Sequence, residues 1–246
     1  MPPRFAFFAR TYFLCDMSPA ESASTSTTLL SHMTAVQACS RCPNMTGPPV
    51  VGRPANRGIL LVGQAPGEKE PRLQRPFAWT AGKTLFQWFQ DSVGWTEDET
   101  RERIYFSALC RCFPGKKPGG GDRVPSPEEI LNCRSWLEVE FALLRPRLVL
   151  LVGKMAMAQF LPPQPLEKTI GRVFSIEGFG RPFDCIPLPH PSGASPWPKV
   201  EPGKSLLRQA MGLIAAHPAI KAATLPPART EAMEGCLPPA PHDRPS

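Results

Sequence analysis

Four cysteines, two short loops and one histidine carry the reactive chemistry of this chain. Cys39 and Cys42 stand two residues apart, and Cys112 and Cys133 follow at longer intervals. Two intervening residues let both thiolates of such a pair reach one metal centre. Four thiolates can hold a cubane iron–sulfur cluster or a zinc ion, and spacing does not separate the two. Cys112 and Cys133 also fit a plainer role, because a free cysteine is an ordinary small core residue. Cys110 and Cys185 are assigned to the core, and Cys15 and Cys236 to the chain ends. The loop Gly63-Gln64-Ala65-Pro66-Gly67 offers backbone N–H groups that can approach a base or a phosphate closely, since glycine has no side chain to intervene. The loop His190-Pro191-Ser192-Gly193 presents an imidazole, a group that can donate or accept a proton near neutral pH.

The elements that must position these groups alternate strand and helix. Gly58 to Gly63 and Leu148 to Gly153 are continuous apolar runs ending in glycine, and they read as buried strands. Ile104 to Leu109 and Phe183 to Leu188 read as two more. Gly82 to Val93 has apolar residues at helical spacing. Ser126-Pro127-Glu128-Glu129 is a helix start with a serine cap, proline at the first position and acids in the first turn, and that helix runs to about Leu144. Lys154 to Phe160 and Lys204 to Ala216 read as two further helices. The expected fold is therefore α/β, a parallel sheet covered on both faces. Ligands bind such sheets at the carboxyl ends of the strands. The Gly63–Gly67 loop follows the first strand and His190 follows the fourth, so both fall on that rim.

The 246-residue chain is long enough for one buried domain with tails, and its 32 prolines gather in loops and near the C-terminus. The expected divisions are a disordered tail over 1–33, a domain over 34–217 and a proline-rich disordered tail over 218–246. The segment Met1 to Cys15 is open to reading as a targeting peptide or as a leader preceding a start at Met17 or Met33. A net charge of +7 suits a polyanionic partner without demanding one. No apolar run is long enough for a membrane helix.

The segment Gly63-Gln-Ala-Pro-Gly67, Glu68, Arg72-Leu73, Arg75-Pro76-Phe77 and Ala81-Gly82-Lys83 resembles the first motif block of the iron–sulfur uracil-DNA glycosylases of families 4 and 5. Cys112, Pro125 to Glu129, Cys133-Arg134 and Arg145-Pro146-Arg147 continue the resemblance in register. His190-Pro191-Ser192 is similar to the second motif. The resemblance runs from about Cys39 to Ala216 and implies a three-layer αβα sandwich around a four-stranded parallel sheet. It implies a monomeric, monofunctional, cytoplasmic enzyme working at the bacterial nucleoid, with no membrane partner, that removes uracil from DNA. It also implies a structural 4Fe–4S cluster on Cys39, Cys42, Cys112 and Cys133.

By the same resemblance, His190 stabilises the departing base and Phe77 stacks on it. Gln64, with the backbone of Gly63, Ala65, Pro66 and Gly67, positions base and water. Pro191, Ser192, Gly193, Ala194 and Ser195 grip DNA, and Trp197 is a candidate wedge. The sequence departs from the family twice. Gln64 stands where family 4 usually has glutamate, and a neutral amide cannot act as a general base. Glu68 and Glu70 are nearby carboxylates, each read first as a solvated loop charge. Ala108 stands where family 4 typically has an asparagine that reads the uracil edge. The expectation is a less selective pocket that also accepts deaminated purines such as hypoxanthine or xanthine. The loop Phe113 to Gly121 lacks the histidine with which a sister branch bonds its DNA product, and its Lys116 and Lys117 could follow phosphates. The rival readings are an inactive, damage-sensing DNA-binding protein of the same fold and a zinc-stabilised hydrolase acting on a small nucleoside.

Overall fold

A computed structural model describes residues 21–193 and 195–225. The described part of the chain begins with α1 (Glu21–Gln37) and continues through β1 (Ile59–Gly63), α2 (Glu70–Leu73), α3 (Thr80–Val93) and α4 (Glu97–Arg103). Next come β2 (Tyr105–Ala108), α5 (Pro127–Leu144), β3 (Leu148–Val152), α6 (Lys154–Phe160) and α7 (Leu166–Thr169). It ends with β4 (Phe174–Gly178), β5 (Arg181–Leu188), a 3₁₀ turn at Trp197–Lys199, α8 (Gly203–Ala216) and α9 (Pro218–Thr224).

The strands lie in the order β2-β1-β3-β5-β4. β1 pairs in parallel with β2 and β3, and β3 pairs in parallel with β5. β1 and β3 are buried at every position, as parallel strands covered on two faces must be. Right-handed crossovers put α3 on one face and α5 and α6 on the other, and α8, after the last strand, joins α3. Consistently, α3 packs on α8 and α1 packs on α5.

The sheet has five strands, not the expected four, and it is not wholly parallel. β4 runs antiparallel to β5. The two are joined through Phe179 and Gly180, both at positive φ (51° and 81°), the backbone of a tight hairpin turn. β4 alternates half-buried and exposed residues, so it lacks the continuous apolar run that marks the central strands.

The folded unit also exceeds the expected 34–217. α1 starts inside the supposed tail and packs Leu29, Met33 and Val36 into the core. Those residues form an i, i+4, i+7 stripe hidden by the Ser- and Thr-rich surroundings. At the other end, Pro218 does not end the fold but opens α9, where proline at the first turn costs no hydrogen bond. The His217 side chain accepts from the Ala219 amide at 3.1 Å, and Ala219, Ile220 and Ala223 are buried. Cys15, Cys236, Met17 and the remainder of both expected tails lie outside the described residues.

Candidate active site and cysteine cavity

The carboxyl ends of β1 and β2 and the loop after β5 enclose a cleft of about 390 Å³. Gly63, Gln64, Ala65, Pro66, Gly67, Phe77, Ala108, His190 and Ser192 all line it. The first loop is fixed by pairing that outlasts the strands: the Leu109 amide donates to the Gly63 carbonyl at 3.0 Å, and the Cys110 amide to Gln64 at 3.1 Å. Pro191 is buried and Gly193 is exposed, and neither lines the cleft. Ser195 faces a neighbouring cavity, and Ala194 lies outside the described residues. Trp197 does not stand out as a wedge. Its indole N–H donates to Glu167 at 3.1 Å, and its ring packs against Gly203 at the start of α8.

His190 has a defined proton arrangement. The Ser192 backbone amide donates to its Nδ1 at 3.2 Å. Nδ1 is therefore the acceptor, and the neutral ring carries its proton on Nε2. The ring is open to solvent on one side, yet the cleft walls desolvate it and lower its pKa from 6.5. Gly153, between β3 and α6, lies beneath the ring: its φ is +89°, and a Cβ there would meet His190 Cδ2 at 3.3 Å. Gly153 thus shapes the histidine's seat, a role that only its position at the end of β3 hints at in the sequence.

Phe77 is held by residues that the motif reading left without a role. Its φ is +51°, unusual for an aromatic residue. The buried Arg101 fixes that turn, donating to the Pro76 carbonyl at 2.8 Å and to the Phe77 carbonyl at 3.1 Å. Arg101 is itself paired with Glu97 at 2.9 Å. Gly82 permits the close approach, since a Cβ there would fall 1.7 Å from the Phe77 carbonyl oxygen. The Phe77 ring then lies edge-on to Phe106, centroids 6.0 Å apart.

Glu70 is not a solvated loop charge but a buried carboxyl, 9% exposed. It accepts from the Gly67 amide at 3.3 Å and from the amides of Ala78 and Phe77, joining the first loop to the Phe77 turn. Burial outweighs these hydrogen bonds and raises its pKa to about 7. Glu68 remains exposed, and Lys116 bonds to it at 3.1 Å and to Asp122 at 2.8 Å. Lys116 thereby lies at the rim of the cleft, held between two carboxylates.

Behind the cleft, Glu140 is fully buried and accepts from Ser107 Oγ at 2.7 Å, Tyr105 Oη at 3.0 Å and Arg111 at 2.6 Å. Arg111 also donates to the Ala108 carbonyl. A buried charge needs such pairing, and this network ties the end of β2 to α5.

Cys39, Cys42, Cys112 and Cys133 line one further cavity of about 420 Å³. Cys39 and Cys42 follow α1, while Cys133 is set on α5. The segment after them is stitched to the Cys112 loop by Thr46 N to the Phe113 carbonyl and Val50 N to the Arg111 carbonyl, each 2.7 Å. Arg41 lies 4.5 Å over Trp136 and bonds Ser135 at 2.8 Å. Burial pushes the Cys112 thiol up to about 12 and raises Cys42, whereas a hydrogen bond from Cys110 lowers Cys133. Among the described residues, no three His, Cys, Asp or Glu side chains close on a single ion. The four thiols surround a cavity rather than a point. Cys110 and Cys185 are buried, as expected of core residues.

A glycine-edged loop, an aromatic ring and a neutral imidazole thus meet around one cleft at the carboxyl rim of an α/β sheet. Residues 49–210 match the uracil DNA glycosylase superfamily, and the chain belongs to that superfamily. It is similar to the type-4 uracil-DNA glycosylase of Archaeoglobus fulgidus, with 30% identity over 54% of this chain and 65% of that protein, just under two thirds of its length. It is similar to the type-4 uracil-DNA glycosylase of Thermotoga maritima, with 29% identity over 64% of this chain and 78% of that protein. A type-5 uracil-DNA glycosylase of Thermus thermophilus shares 31% identity over 49% of this chain and 57% of that protein.

Proposed function

We propose that the protein is a monofunctional glycosylase that hydrolyses the N-glycosidic bond of uracil in DNA. The observation that carries this reading is His190, neutral, with Nε2–H left to donate because Nδ1 accepts from Ser192. The target nucleotide must leave the stack at a cost of roughly a few kcal/mol. Phe77 offers a stacking face for it. As the bond from C1′ to the base breaks, its electron pair leaves with the base, and His190 Nε2–H stabilises the charge developing on a base oxygen. Gln64 orients a water whose oxygen bonds to C1′; the proton that water loses is carried to solvent. Neutral Gln64 suffices as a guide because the sugar is already cationic when water adds. Of the lysines at the cleft mouth, Lys116 is held between Glu68 and Asp122 and Lys69 lies against Glu68, which favours simple hydrolysis over a Schiff-base step.

The missing amide at Ala108 favours a wider base range, including hypoxanthine and xanthine. Pro191, Ser192, Gly193, Ala194 and Ser195 are assigned to the DNA backbone. Cys39, Cys42, Cys112 and Cys133 are assigned to a 4Fe–4S cluster; the all-thiol donor set around one cavity fits such a group. When bound it would supply a structural tie between the segment after α1, the Cys112 loop and α5. We place the activity, as a monomer, on chromosomal DNA in the cytoplasm. No described helix is long and apolar enough to cross a membrane.

A second reading, DNA binding without base release, is favoured by Gln64 and Ala108, which lack the family's acid and amide. Purified protein would be incubated with single- and double-stranded oligonucleotides bearing one uracil, then treated with alkali, alongside His190→Ala. Strand breaks that depend on His190 are expected. Intact strands with tight binding to uracil-containing DNA would replace the first reading with the second.

A further inference from the structure

Beside the base cleft lies a second and larger cavity, of about 650 Å³, which the hydrolysis above does not use. Gln64 and His190 line both, so the two spaces meet at those residues. The walls of the second cavity are mainly apolar, with Gln159 and Ser195 among the polar groups that line it. Leu109 comes from the end of β2, Ile130 and Leu131 from α5, and Met155 and Ala158 from α6. Leu131 and Val124, 54% and 41% exposed, both line it, so the exposed apolar surface is gathered at one place, as at a binding site.

Charge distinguishes the two spaces. The base cleft sets Glu68, Glu70 and Asp122 against Lys69, Lys116 and Arg123 in its lining. No acidic residue lines the second cavity, while Arg134 and Lys154 stand in its wall. Arg134 is shared with Glu138 at 2.8 Å; Lys154 is exposed at the start of α6. An apolar space within the roughly 300–1,000 Å³ range of ligand pockets, bordered by cations and joined to a nucleotide cleft, matches an unstacked base with its phosphate.

We propose that this cavity receives the base of the nucleotide adjacent to the flipped one on the same strand, with their shared phosphate passing His190 and Lys154. This rests on the glycosylase reading of the cleft. Mainly apolar walls accept the face of any base, since every base has an apolar face. A duplex keeps the neighbouring base stacked and paired, so the cavity fills from single-stranded or locally opened DNA. The consequence is a preference for single strands that owes nothing to sequence.

The test uses equilibrium binding of the full chain, so that it stands whether or not the base is released. Single-stranded oligonucleotides would carry 2′-fluoro-deoxyuridine, whose glycosidic bond resists hydrolysis. The nucleotide on its 5′ side, then on its 3′ side, would be replaced by an abasic analogue. Binding would be measured for wild type and for Leu131→Asp and Ala158→Phe, both at exposed helix positions, with thermal unfolding confirming that each is folded. The abasic replacement on one side is expected to weaken wild-type binding by about five-fold or more. The same replacement is expected to have little further effect in either variant. Equal losses in wild type and variants, or no loss at either flank, would overturn the proposal; the latter is also what a cavity filled by another part of this chain would give. Uracil release by wild type on the cleavable strands is scored separately, so failure of the subsite and failure of the glycosylase reading are told apart.

Discussion

Each residue in the cleft carries a distinct expectation. His190→Ala removes the donor to the leaving base, and loss of such a donor costs roughly 10²–10³-fold in rate. The decisive measurement is single-turnover release of uracil, with folding checked by thermal denaturation. Ala108→Asn restores an amide at the end of β2 and should narrow the range of released bases toward uracil. An unchanged ratio of hypoxanthine to uracil release would refute the role given to that position. Glu70 makes a prediction in pH. Its folded pKa of about 7 lies above the ordinary value of 4.5, so between those values the folded chain holds a proton that the unfolded chain has lost. Stability therefore falls as pH rises through that window and levels off above about 7. Activity should run the other way, because the ionised carboxylate is the better acceptor for the Gly67, Phe77 and Ala78 amides. Glu70→Gln should flatten both profiles, read by melting temperature and by rate across the same buffers.

Among elements, the Phe77 turn is the most exposed to a single change. Gly82→Ala would drive a methyl group into the Phe77 carbonyl. The turn must then move off Arg101, and binding of uracil-containing DNA should weaken about ten-fold or more while helix content, read by circular dichroism, is retained. The central strands were legible because β1 and β3 are unbroken apolar runs. The start of α5 was legible because Ser126 and Glu129 cap each other: Glu129 N donates to Ser126 Oγ at 3.2 Å and Ser126 N to the Glu129 carboxylate at 2.7 Å. β4 was missed because an edge strand with one wet face has no such run. α1 was missed because its apolar stripe is sparse, and α9 because a proline at a first turn looks like one that stops a helix. The residues gathered at the cleft were legible as motifs, but the means of holding them were not. Nothing local in the sequence says that Arg101 reaches Phe77, or that Glu70 turns inward.

On the scale of the whole molecule, the cysteine cavity joins parts distant in the chain: the segment after α1, the loop after β2 and α5. Cys42→Ala is expected to abolish iron binding, bleach visible absorbance and lower the melting temperature, while residual folded protein keeps its affinity for uracil-containing DNA. An unchanged melting temperature would mean that the bound group is not a structural tie. The strand order has a separate consequence, in time rather than in space. β1 sits inside the sheet, yet Ile59 pairs with Leu148, a partner about ninety residues later in the chain. At roughly 5–20 residues per second of synthesis, one edge of an entirely apolar strand waits for several seconds with its backbone unpaired. Only β2 can reach it sooner. The growing chain is therefore vulnerable to sticking to its neighbours until β3 emerges, with one edge of β1 still open after β2 has paired, and the yield of soluble protein should depend on whatever shields β1 during that interval.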